Sequence, residues 1–176
     1  MLGDNKPNTQ AVGSPTDIID AGIALMQNGA YADAFLLFSK LKSDENQIAV
    51  QYNLALCYSA AGETQQALGH AEKVFSALKK KVPVAKDPLT TQNPFTVLSQ
   101  SASGQADYRN PMPQNLPDLL PDAAKRNGLR LLIDICAALE NWDAVLRYAA
   151  ELQPFEKNYE NVKKAVEEAQ KRKGGI

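Results

Sequence analysis

The sequence predicts an all-α fold of antiparallel helix pairs, and three observations predict it. Apolar residues recur at the spacing of one helix face along most of the chain. No stretch alternates apolar and polar residues as a half-buried strand does. A glycine-centred motif, Gly29-Ala30-Tyr31-Ala32-Asp33-Ala34, returns in weaker form 33 residues later as Gly62-Glu63-Thr64-Gln65-Gln66-Ala67.

Residues 1–13 are polar and rich in Asn, Gly and Thr, and are expected to form a disordered tail. A helix start follows: Ser14 can cap, Pro15 suits the first helical position, and Asp17 puts negative charge at the positive end of the dipole. The first helix stops at Asn28 and Gly29. A second run covers residues 31–41, with Ala34, Phe38 and Leu41 on one face, and residues 43–46 break it. A third covers 48–60. A fourth begins at Thr64, with Ala67, Ala71, Val74 and Leu78 on one face, and closes on Lys79, Lys80 and Lys81 as a solvated helix end.

Residues 82–120 change character. Pro83, Pro88, Pro94, Pro111, Pro113 and Pro117 fall at spacings that forbid long regular helices. Structureless connections of this length are uncommon in compact domains and tend to be functional or disordered. Helical pattern returns over 121–173. A run covers 122–139 and another 142–152, and a charged last helix over 159–173 carries Val162, Ala165, Val166 and Ala169 as a narrow apolar stripe.

Composition bounds the function. The chain has 176 residues, 44% apolar and 22% charged, so one domain can bury a core without disulfides or metals. The net charge of −1 gives no global attraction to nucleic acid or to an acidic membrane surface. Cys57 and Cys136 lie far apart in apolar runs and read as small buried hydrophobes. There is no signal-like start, and no run approaches the roughly 18 apolar residues of a membrane span, so a soluble cytoplasmic protein is expected.

The echo continues around the motif. Leu25 matches Tyr58, Ala21 matches Leu54, and Leu41 matches Val74; a third copy centres on Trp142-Asp143-Ala144-Val145. With these residues the chain resembles the tetratricopeptide repeat family, whose unit is a 34-residue helix pair. Gly22, Gly29, Tyr31, Ala34 and Phe38 fall on its pattern in the first unit, and Ala55, Tyr58, Gly62 and Ala67 in the second. In the third, Trp142 takes the aromatic position, Val145 replaces the usual alanine, and the turn glycine is missing. Small residues let helices approach closely, so recurring small residues imply recurring crossings, stacked as a short superhelix with a concave face.

In that family the first helix of each pair lines the groove. The resemblance therefore implies a protein-binding groove of Ile19, Ile23, Met26 and Gln27 in the first unit. It adds Tyr52, Asn53, Leu56 and Ser59 in the second, and Asn127, Arg130 and Asp134 in the third. The basic clamp with which some family members hold acidic chaperone tails is not implied: only Asn53 stands at a clamp position, and Ile19, Ile23, Asn127 and Leu131 occupy others. The first helix is apolar nearly all round, so its outer side needs a cover. The cover is the Pro-rich insertion folded back, through residues such as 94–98, or a partner's apolar peptide or helix, or the groove closed on itself.

No catalytic, metal or cofactor chemistry is indicated. His70 is the only histidine and has no partners at metal-ligand spacing. There is no glycine-rich phosphate loop and no calcium-type carboxylate spacing. The groove positions hold one arginine and no lysine, which argues against nucleic acid. The expectation is a non-enzymatic scaffold, adaptor or chaperone-like module whose partner is another protein. A self-associating homo-oligomer or a subunit of a larger assembly is the alternative.

Overall fold

The computed structural model describes residues 14–41, 47–81 and 107–174. The expected tail, the break at 43–46 and the groove cover at 94–98 lie outside those residues. The described chain is helical, with no strand. Its helices are α1 (Pro15–Gln27), α2 (Tyr31–Ser39), α3 (Ile48–Ala60), α4 (Thr64–Lys81), α5 (Leu116–Leu119), α6 (Pro121–Ala138), α7 (Trp142–Ala150) and α8 (Glu160–Gly174). Short 3-10 turns span Asp107–Arg109 and Pro154–Asn158.

The start of α1 is a reciprocal cap. The Ser14 hydroxyl accepts the Asp17 N–H at 3.2 Å, and the Asp17 carboxylate accepts the Ser14 N–H at 3.0 Å. Three helix pairs, α1–α2, α3–α4 and α6–α7, are each closed by a three-residue turn of one design. Ala30, Glu63 and Asn141 each donate an N–H to the carbonyl five residues back, at 2.9 Å in all three. The middle residue is left-handed each time: Gly29 and Gly62 at φ 78°, and Glu140 at φ 54°. The third turn thus keeps its conformation without its glycine, at a steric cost that an L-residue bears there.

Close approach inside the pairs rests on small residues. A Cβ on Gly22 would sit 2.5 Å from the Phe38 ring, so only glycine admits that ring. At the same spacing in the next pair Ala55 and Ala71 are both buried. Ala34, Ala67 and Val145 hold equivalent buried positions, so the third pair accommodates the larger valine. Each helix of the three pairs packs on the next in chain order, and α8 packs on both α6 and α7. Between the halves, α4 crosses α6 where Gly128 meets Val74, and a Cβ there would lie 3.4 Å from Val74 Cγ1. Lys79 pairs with Glu151 at 2.9 Å and Lys81 with Asp118, so the expected solvated lysines tie α4 to the C-terminal half.

One expectation changes. The helix buried all round is α3, not α1: every residue from Ile48 to Cys57 is buried. α3 is enclosed by α2, α4 and the end of the Pro-rich segment, whereas α1 opens the stack and buries only Ile19, Gly22 and Met26. The Pro-rich segment, for which a folded-back cover is one of three possibilities, is described at its end. Its last part, 107–120, packs against α6 and α3, with Tyr108, Met112 and Pro117 buried. Pro111 and Pro113 flank Met112 and keep it out of helix, which leaves an irregular strap between the 3-10 turn Asp107–Arg109 and α5.

Candidate functional site

One cleft runs between α3 and α6, and its two ends differ. The strap fills one end. Asn53, fully buried on α3, bonds both backbone polar groups of Met112. Its Nδ2 donates to the Met112 carbonyl at 3.0 Å, and its Oδ1 accepts the Met112 N–H at 2.7 Å. One residue earlier, the Tyr52 hydroxyl donates to the Tyr108 carbonyl. These contacts read main chain, not side-chain identity. Burial raises the Tyr52 pKa well above the ordinary tyrosine range, so the hydroxyl stays a donor.

The far wall reads the strap's side chains. The Arg130 guanidinium is buried between two rings, 4.2 Å from the centre of Tyr108 and 3.9 Å from that of Tyr159. Its Nε donates to Asn161 on α8 at 3.1 Å. Asp134, one turn along α6, gathers three donors: the Tyr108 hydroxyl at 2.5 Å, Arg109 Nη2 at 3.0 Å and Asn161 Nδ2 at 2.9 Å. Burial, and then the bond to Asp134, push Tyr108 up to about 12. The same carboxylate raises Arg109.

Beyond Arg109 the cleft is open. A cavity of about 680 Å³ lies between α3, α6 and α8. Leu56, Leu131, Ile135 and Ala165 give it apolar walls, while Arg109, Asp134, Lys164 and Glu168 carry its charges. Tyr31, Thr64 and Trp142 also line it, and these are the residues that open the second helix of each pair. The repeat therefore delivers equivalent positions to one cavity. A cleft of this size with mixed lining suits a peptide or small-molecule ligand.

Of the residues expected in the groove, Leu56, Ser59 and Asp134 line this cavity, with Leu56 itself buried. Tyr52, Asn53 and Arg130 lie in the cleft but are buried under the strap, so they are not open to a partner. Ile19 and Met26 are buried in the core, where α1 turns that face onto its neighbours, and Ile19 also borders a second, smaller pocket with Ile48 and Pro117. Ile23 and Asn127 are half-buried and Gln27 is exposed; none of the three lines the cavity. Sequence reasoning missed Tyr108, Met112, Asn161 and Lys164. Their only signal was one of kind: two large side chains set among prolines.

The chemistry of the remaining reactive groups is subdued. Cys57 and Cys136 are buried, and burial pushes both thiols up to about 11, away from the nucleophilic thiolate. His70 is half-buried, with Nδ1 2.7 Å from Gln51 Oε1 and its ring stacked on Tyr58. Among the described residues no group of three or more His, Cys, Asp or Glu is placed to hold a metal ion. None of their helices is long and apolar enough to cross a membrane. No family model, curated protein or solved structure matches the chain.

Proposed function

We propose that this chain is a non-catalytic protein-interaction module, a short stack of tetratricopeptide-like helix pairs that holds a segment of another protein in the open end of the α3–α6 cleft. The observation that carries this reading is the cavity itself: about 680 Å³, walled by Leu56, Leu131 and Ile135, charged at Arg109 and Lys164, and fed by the same position of all three pairs. Apolar walls supply affinity and the charges supply orientation. The three turns of shared conformation support the repeat plan.

Ser59 and Ala138 line the cavity yet are exposed, so they can be changed without touching the core. Ser59→Arg and Ala138→Arg should each remove a partner cross-linked in cells to a photoreactive residue at Lys164, while far-ultraviolet circular dichroism stays at wild-type amplitude. A control, Leu36→Arg on the exposed side of α2, should keep it. The same cross-linked partners in all three variants would move the binding face elsewhere. A cross-link between two copies of the chain would make the partner a second copy, as in a self-associating subunit.

A further inference from the structure

The filled end of the cleft is built like a peptide site that already contains its peptide. Resting on the reading that this face binds protein segments, we infer that it accepts a partner segment that takes the same turn and carries a tyrosine four residues ahead of a methionine. Residues 108–112 occupy that place in cis until such a segment displaces them.

Three features carry this. First, the grip from α3 is on main chain: Asn53 bonds the N–H and the carbonyl of Met112, and Tyr52 donates to the Tyr108 carbonyl. Any segment that takes the same turn presents those main-chain groups, and side-chain pockets then sort among such segments. Second, two side chains set the sorting. The Tyr108 ring lies on the Arg130 guanidinium and its hydroxyl reaches Asp134, while Met112 is buried beside α3. Third, Tyr52, Asn53 and Arg130 are polar and almost wholly buried with the strap in place. An empty cleft would leave Asn53 without the partners it has now, at about 1–3 kcal/mol per unmade bond, so exchange of one segment for another is favoured over vacancy.

The strap suits exchange. Its prolines keep Met112 out of helix, so the single 3-10 turn Asp107–Arg109 is the only helical element within 107–112. It is also continuous with the open cavity, because Arg109 belongs to both: it pairs with Asp134 behind the strap and lines the cavity in front. A partner seated in the cavity meets Arg109 first and can advance along the cleft from there.

The test uses a fluorescein-labelled peptide of residues 105–115, read by anisotropy against the full-length wild-type chain and full-length Tyr108→Ala/Met112→Ala. The tethered strap competes at an effective concentration on the order of millimolar, so the double variant should bind the peptide at least about tenfold more tightly than wild type. A peptide carrying Tyr108→Ala and Met112→Ala should bind that variant at least about tenfold more weakly than the native peptide. Equal affinity of the native peptide for both chains overturns the inference, and equal affinity of both peptides overturns its sorting chemistry. Should the double variant be unfolded alone, the native peptide must restore its helical circular dichroism, and failure to do so overturns the inference as well. Ser59→Arg acts at the other end of the cleft, so lost partner capture there without peptide binding here would keep the interaction reading and reject this one.

Discussion

The filled and open ends of the cleft are made by the same two helices, about one turn apart. On α3 the strap is held by Tyr52 and Asn53, and the cavity is lined by Leu56 and Ser59. On α6 the division falls between Arg130 and Leu131, with Asp134 serving both. The filled end buries polar groups and satisfies them against a backbone; the open end sets exposed Ser59, Ala138 and Lys164 over buried apolar walls. A polar residue in such a cleft thus marks where the chain has supplied its own occupant. A plain apolar wall marks where it has not.

That contrast can be broken at its strongest point. Asn53→Ala strands the N–H and carbonyl of buried Met112, and at about 1–3 kcal/mol per group the loss in urea unfolding should be about 2–5 kcal/mol. A loss below about 0.5 kcal/mol, within the range of ordinary surface substitutions, would mean that the strap contributes nothing to the fold. Ala34→Leu and Ala67→Leu test the scaffold beneath both ends. Each alanine is fully buried, and overpacking should cost about 1–3 kcal/mol in the same assay. Unchanged unfolding in both would remove the repeated close crossings from the account.

Alkaline pH separates the ends by titration. Tyr108, at about 12, holds its proton more tightly folded than the ordinary tyrosine at about 10. Its contribution is therefore complete below about pH 10 and is lost as pH rises through about 12. Tyr52 shifts in the same direction, through burial. Unfolding free energy should fall over that interval, and less steeply in Tyr108→Phe; parallel curves would detach Tyr108 from the titration. Glu140→Gly should stabilise by about 0.5–1 kcal/mol, since glycine bears the left-handed φ at little cost but loses more freedom on folding. The smallest effect belongs to the open end, where Ser59→Arg should alter unfolding by less than about 0.5 kcal/mol.

Local signals were readable in the sequence because their causes are local. The Ser14–Asp17 cap, the stops at Gly29 and Gly62, and the bounds of α3 all follow from residues within one turn of each other. The turn at Glu140 was not, since its conformation is imposed by the helices it joins. A folded-back insertion was one of three covers the sequence left open, but the residues that form the strap were not legible. Its prolines announce only that it is not helical, and its partner Asn53 lies 59 residues away from Met112. Asn53 could have raised the question, as a polar residue in the middle of an otherwise apolar helix face. Fold-level resemblance placed Tyr52, Asn53 and Arg130 in a cleft, yet could not tell a cleft already occupied from one left vacant.

The division of the chain at residues 82–106 bears on the order of folding. Within each half, every helix meets its neighbours along the sequence, so hairpins can close quickly from nearby parts. The junction of α4 with α6 must instead close a connection of 39 residues, 82–120. Loop closure is costly at first and only weakly dependent on length, about 0.6 kcal/mol per doubling. Two fast hairpin assemblies followed by one slower docking event are the expected kinetics, with the buried Asn53–Met112 bonds among the last to form.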